Sequence, residues 1–203
     1  AYVEALRHAH VLVDEATRRG TMVARLEAKA GAIGGVLVPD EFLVGENASL
    51  VEEPQIVAGS FDPAFLELPE EVIVAVMRGH QRYFAVRDSA GVLMNRYLCV
   101  ANTANDEALI AAGNDRVLRA RLSDARFFVQ EDRKKTLAER VPKLDGIVFQ
   151  AKLGTIGEKV ARVGALAGWL AALGGASDHD AHVTEETAKL AKGDLVSLIV
   201  GEF

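Results

Sequence analysis

Apolar residues recur along this chain with two different periods, and the change of period divides it. Up to about residue 105, helix-like windows alternate with strand-like ones. His10 to Val13 reads as a short strand. Asp14 then stands as an N-cap before a helix in which Val23, Leu26 and Ala30 share a side, closed by the glycines at 31, 34 and 35. Leu50 to Val57 is interrupted by Pro54 and reads as an edge strand or two short pieces. Pro69 with Glu70 and Glu71 predicts a helix to about Arg78, stopped at Gly79, since proline suits a first turn and carboxylates suit its positive end. Gln81 to Val86 and Val92 to Val100 predict a hairpin around Asp88-Ser89-Ala90-Gly91.

Beyond Asn105 the strand signals stop. Helices are expected at about 106–112, 115–138, 143–173 with a break, and 183–201, with Gly174 to Asp180 as a polar connection. The fold class is therefore α+β. A mixed domain with a mainly antiparallel sheet is expected over 1–138, ending in an arginine-rich helix, and an all-helical domain over 139–203.

That arginine-rich helix, GNDRVLRARLSDARFF from Gly113 to Phe128, carries the clearest chemistry. Leu118, Leu122, Ala125 and Val129 follow the spacing of a buried stripe, and Arg116, Arg119, Ser123 and Arg126 fall on the neighbouring arc. Guanidinium is permanently charged and forks onto phosphate or carboxylate, so the row is a polyanion contact or a lattice of ion pairs. The carboxylates available to such a lattice are Asp115, Asp124, Glu131 and Asp132. Phe127 and Phe128 stand beside the row as stacking or core residues.

Charge decides how far an RNA reading extends. The whole chain carries a net charge of -6, which repels phosphate at long range. Any polyanion contact is therefore local. With one cysteine, Cys99, there is no disulfide framework. The longest uncharged stretch, Val163 to Ser177, is shorter than the roughly 20 residues of a membrane span. No signal peptide opens the chain. A soluble, cytoplasmic protein without a membrane partner is expected. The chain starts at Ala1 without an initiator Met and stops at Phe203 after an apolar run, and reads as an internal piece of a longer polypeptide.

Two other clusters bear chemistry. His80-Gln81-Arg82-Tyr83-Phe84 gathers a titratable ring, a guanidinium and aromatics at a helix-to-strand junction, as an exposed site or as a helix stop with a buried Phe84. Asp178-His179-Asp180-Ala181-His182 offers metal-ligand types within five residues, and its His179-Asp180 pair resembles that of HD-type metal-dependent phosphohydrolases. Two adjacent side chains cannot enclose an ion, so a polar interhelical loop is the competing reading. No phosphate-cradling GxxxxGK[ST], GxGxxG or CxxC is present. No self-contained catalytic centre is expected.

In order along the chain, FLELPEEVIVAVMRGHQRYFAV, VANTAND, GNDRVLRARLSDARFFVQEDRKK, LAERVPKLDGIVFQAKLGTIGEKVARV and AKLAKGDLVSLIVGEF resemble the β subunit of bacterial α2β2-type glycyl-tRNA synthetase. The resemblance covers most of 61–203 and extends weakly before residue 60. It implies an enzyme that joins glycine to tRNA(Gly), with ATP and Mg2+ used on the α subunit and no cofactor in this piece. The partners implied are the α subunit, tRNA(Gly) and the remainder of the β chain. It also implies a first domain similar to the B3/B4 region of phenylalanyl-tRNA synthetase and a second similar to HD domains. There Lys192-Gly193-Asp194 takes the slot of the HD pair, and only Asp194 keeps a ligand type. Arg116, Arg119, Arg126 and Arg121 are the expected tRNA contacts, with Arg82, Tyr83 and His80 at the junction. The rival functions are an HD-type phosphohydrolase using His179 and Asp180, and a purely structural interaction module. An editing pocket has little physical need, because a steric pocket for glycine already rejects larger amino acids.

Overall fold

A computed structural model describes residues 2–102 and 105–202. Thr103 and Ala104 of the VANTAND segment lie outside the described residues, as do Ala1 and Phe203. The chain folds as two units, the first running to Arg126 and the second from Phe127.

The first unit opens with α1 (Tyr2–His8). His10 follows in the left-handed region, with φ 60, and its Nδ1 meets Glu53 Oε2 at 2.7 Å. The strand expected from His10 to Val13 is thus a turn and a connection, because a left-handed residue cannot continue a pleat. Asp14 caps α2 (Glu15–Ala32) by accepting the Thr17 N–H, and Met22, Leu26 and Ala30 are its buried positions. Then come β1 (Val36–Leu37) and α3 (Glu41–Leu50), a helix the sequence pattern did not reveal. Phe42 and Leu50 of α3 are exposed while Leu43 and Val44 are buried, which blurs the amphipathic signal.

The strand β2 (Gln55–Ser60) starts just after Pro54. A 3-10 turn over Pro63–Glu67 leads to α4 (Glu70–Gln81), then β3 (Phe84–Arg87) and β4 (Leu93–Ala101). The sheet order is β1-β3-β4-β2 with every pairing antiparallel, so β2 is an edge strand, where a preceding proline costs no ladder bond. In the β3–β4 turn, Asp88 accepts the Ala90 and Val92 N–H groups, and Gly91 takes φ 83, a conformation that favours glycine.

The two sheet faces are covered by different helices. Phe84, Val86 and Leu98 join Met22, Leu26, Leu43 and Val44 in one buried cluster, so α2 and α3 cover one face. Tyr97 and Cys99 alternate to the opposite face and receive α5 (Glu107–Asp132). This helix runs unbroken through Gly113, where separate helices over 106–112 and 115–138 were expected. One helical glycine costs only about 1 kcal/mol, and the adjoining Asn114 and Asp115 bond Cys99, Tyr97 and Ser60 on the sheet side.

Asp40 ties α3 to α4. It accepts the Leu43 N–H, capping α3, and pairs with Arg78, which also lies over the Phe42 ring. Burial pushes the Asp40 carboxyl up, but the Arg78 hydrogen bond, the Leu43 N–H and the Arg78 charge outweigh it, leaving the carboxyl below its ordinary range. A depressed carboxyl contributes stability above its unfolded pKa and loses it as pH falls through the folded value. Acid titration of stability should therefore flatten below about pH 4 in Asp40→Asn, as followed by circular dichroism. An unchanged acid limb refutes this role.

The second unit departs from the all-helical expectation. Thr136 and Glu139 form a capping box at α6 (Leu137–Arg140), followed by a 3-10 turn over Val141–Gly146. A small hairpin, β5 (Val148–Gln150) with β6 (Gly154–Thr155), stands where a helix over 143–173 was expected. Only at Thr155 and Glu158 does a second capping box start α7 (Ile156–Leu173). Ser177 caps α8 (Asp178–Leu190), so the expected polar connection already forms the first turn of this helix at Asp178. A 3-10 turn over Gly193–Val196 precedes α9 (Leu198–Glu202). Helices α7 and α8 pack together, with Gly164 and Gly168 beside Glu185. Arg140 is buried and paired with Asp132 at 3.2 Å. The same carboxylate accepts the Leu198 and Ile199 N–H groups that open α9. No helix among the described residues is long and apolar enough to cross a membrane.

Candidate nucleic-acid interface

Helix α5 is held to its sheet by a polar junction. The carboxylate of Asp115 accepts the Tyr97 hydroxyl at 2.7 Å and the Ser60 N–H at 2.9 Å. Asn114 donates to the Cys99 thiol at 3.1 Å, and the rings of Tyr83 and Tyr97 stack with centroids 4.4 Å apart. Burial pushes the Cys99 thiol up to about 11, keeping it neutral. Burial and the Asp115 carboxylate push the Tyr97 hydroxyl up, so it remains a donor. Gly59 makes this approach possible. A Cβ there would collide with the Tyr97 ring and its hydroxyl, and would lie 2.6 Å from Asp115 Oδ1.

With that face committed, the arginines turn outward. Leu118, Leu122 and Ala125 are fully buried, whereas Arg116, Arg119 and Arg121 are exposed. At 100° per residue, Arg116, Arg119 and Arg126 share one flank of the buried stripe. Arg121 lies two residues from Arg119, roughly 200° around the axis, and falls on the other flank. Among the described residues, the Arg116, Arg119 and Arg121 side chains make no ion pair or hydrogen bond. Arg126 is half-buried, its guanidinium 4.7 Å from the Phe65 ring centroid.

The carboxylates that would have completed an ion-pair lattice are engaged elsewhere. Asp115, adjacent to Arg116 in sequence, serves Tyr97 and Ser60. Glu131 pairs with Lys134, and Asp132 with Arg140. Asp124 is exposed and bridges to no arginine among the described residues. The row is a bare cationic edge on an anchored helix. Such an edge forms charge-assisted bonds to phosphate or carboxylate oxygens without first breaking internal pairs.

The junction cluster is only partly available for contact. Arg82 is exposed, in the left-handed region with φ 55, and its Nε lies 3.6 Å from Glu46. His80 is exposed and has an interaction within the chain. Tyr83 is only 6% exposed, with its ring covered by Tyr97, so it is a core residue with no open face for a base. Phe127 is exposed and meets the half-buried Phe128 edge to face.

His179 and Asp180 are exposed in the first turn of α8, where the Asp180 N–H and carboxylate both bond the Ser177 hydroxyl. No group of three His, Cys, Asp or Glu side chains able to hold a metal occurs among the described residues. Lys192 and Asp194 are both exposed, and an ammonium at Lys192 cannot ligate a cation. These side chains do not fit a metal-dependent hydrolytic centre.

Sequence reasoning passed over Gly59, Tyr97 and Asn114, and took Asp115 only as a partner for the arginines, where it serves Tyr97 and Ser60 instead. A signal existed for the role of Asp115. Asp115 falls beside Leu118 and Leu122 on the helical wheel, and a carboxylate on a buried arc needs a partner. Nothing in the sequence pointed to Gly59 or Tyr97 as that partner.

A sequence model of the family described as glycyl-tRNA synthetase beta subunit matches residues 1–203, the whole chain. The chain belongs to that family. It is 47% identical over 203 residues to a glycine–tRNA ligase beta subunit of Myxococcus xanthus, covering all of this chain and 29% of that protein. The corresponding protein of Phenylobacterium zucineum is 49% identical over 205 residues, covering all of this chain and 31% of its own. That of Shouchella clausii is 44% identical over 204 residues, again covering all of this chain and 29% of its own. The chain thus spans under a third of the length of these relatives.

Proposed function

We propose that this chain is a tRNA-handling part of a glycyl-tRNA synthetase β subunit, with the Arg116, Arg119 and Arg126 flank of α5 as a backbone-phosphate contact. The complete enzyme would attach glycine to tRNA(Gly) using ATP and Mg2+ bound on the α subunit, in the cytoplasm. This chain would hold the RNA so that its acceptor end meets that chemistry. On this reading the first unit is B3/B4-like. The second is an HD-like domain whose ligand slot, Lys192 and Asp194, no longer serves metal. Phosphate contacts supply affinity and orientation with little base discrimination. Orientation alone accelerates transfer, because it turns a bimolecular encounter into a positioned one.

One observation carries the reading. Arg116 and Arg119 stand exposed and without internal partners among the described residues, on a helix fixed from behind by Asp115. Arg121, on the other flank, would contribute to the local field and not to the same contact.

Titration of tRNA(Gly) into the complete αβ enzyme at a series of salt concentrations tests it. Each lost phosphate contact lowers the slope of log K against log salt by about 1, so Arg116→Ala/Arg119→Ala should lower it by about 2. An unchanged slope would mean that these guanidinium groups meet protein or water.

A further inference from the structure

The second unit leaves an apolar face without a partner among the described residues. Helix α7 carries no charge from Val163 to Leu173, and its Val163, Leu166, Leu170 and Leu173 repeat at i, i+3, i+7 and i+10. All four are exposed, Leu173 by 69%, and Trp169 beside them by 60%. Helix α8 packs on another side of α7, past Gly164 and Gly168, and leaves this stripe open. A helical stripe three turns long with an exposed tryptophan is the form of a helix-docking surface, and scattered single apolar residues are not.

Two features give the missing partner a chemistry. Val163 also borders a cavity of about 200 Å3 with walls from Val160, Ala188 and Leu195, large enough for one bulky apolar side chain. Lys192 and Lys159 line it as well, the latter with its ammonium over the Phe149 ring, and Arg162, which donates to the Leu153 carbonyl, lies at the same end of the stripe. The stripe is therefore apolar along its length and cationic at its N-terminal end. It matches an amphipathic helix with an apolar anchor followed by carboxylates.

We propose that this face seats an amphipathic, acid-flanked helix belonging to the rest of the full-length β polypeptide. More than two thirds of each relative lies outside the matched region. A segment on the same polypeptide docks at an effective concentration that a separate subunit does not have. The proposal concerns the second unit alone and does not depend on the RNA reading of α5.

The test uses the full-length β chain with Trp169→p-benzoylphenylalanine, irradiated alone and again with the α subunit present. The expected product in both cases is an internally crosslinked single β chain. Its crosslink should map to a helical segment outside residues 1–203 that carries Asp or Glu beside an apolar anchor. A crosslink to the α subunit, to a second β chain or within residues 1–203 overturns the proposal, as does no crosslink. A second variant, Trp169→Asp in the full-length chain, should lower its melting temperature by several degrees, and an unchanged melting temperature counts against the docked helix.

Discussion

Replacing Arg116 and Arg119 by alanine in the complete two-subunit enzyme is expected to raise the KM for tRNA about 10- to 100-fold. Glycine-dependent ATP–pyrophosphate exchange should stay at its wild-type rate. The magnitude follows from the two phosphate contacts proposed for this solvated edge, each giving roughly three- to tenfold in binding. The separation of the two activities follows from the proposal that glycine and ATP react on the α subunit, since exchange consumes no RNA. Melting should be unaffected, because neither side chain is buried or holds another described residue in place. Loss of exchange together with aminoacylation would assign these arginines to subunit assembly, and loss of thermal stability would assign them to the fold.

Gly59→Ala is expected to act in the opposite way, on stability first. The added methyl meets the Tyr97 ring and the Asp115 carboxylate from the edge strand β2, and the stacked Tyr83 leaves Tyr97 little room to retreat. Overpacking of this kind costs about 1–3 kcal/mol, and displacing Tyr97 also breaks its hydrogen bond to Asp115. Hydrogen exchange should show faster amides in β2, β4 and the Asn114–Leu118 turn of α5. Any rise in the KM for tRNA should track that loosening and recover on cooling, unlike the arginine double variant. Unaltered exchange rates would show that the junction has slack and does not hold the helix.

These two variants separate what is readable in a one-dimensional pattern from what is not. The α2 and α4 helices announce themselves through Asp14 and through Pro69 with two carboxylates, and the β3–β4 hairpin through its turn residues. The arginine face was legible because helical periodicity alone sorts Leu118, Leu122 and Ala125 from Arg116, Arg119 and Arg126. The β5–β6 hairpin escaped because its strands are three and two residues long, too short for alternation to register. Tyr83 reads as a surface residue because His80, Gln81 and Arg82 before it are polar, while its covering ring comes from a residue fourteen positions away.

Local order along the chain was sufficient for the helical arginine row, the antiparallel hairpin and the membership of a synthetase β-subunit family, since each rests on neighbouring residues and their spacing. Whether the arginines are free was beyond its reach. Asp115 had the choice of bonding a guanidinium on its own helix or a tyrosine on a distant strand, and only packing against Gly59 and Tyr97 resolved it. Pairing between residues far apart in sequence depends on which surfaces meet, and that is a property of the assembled fold.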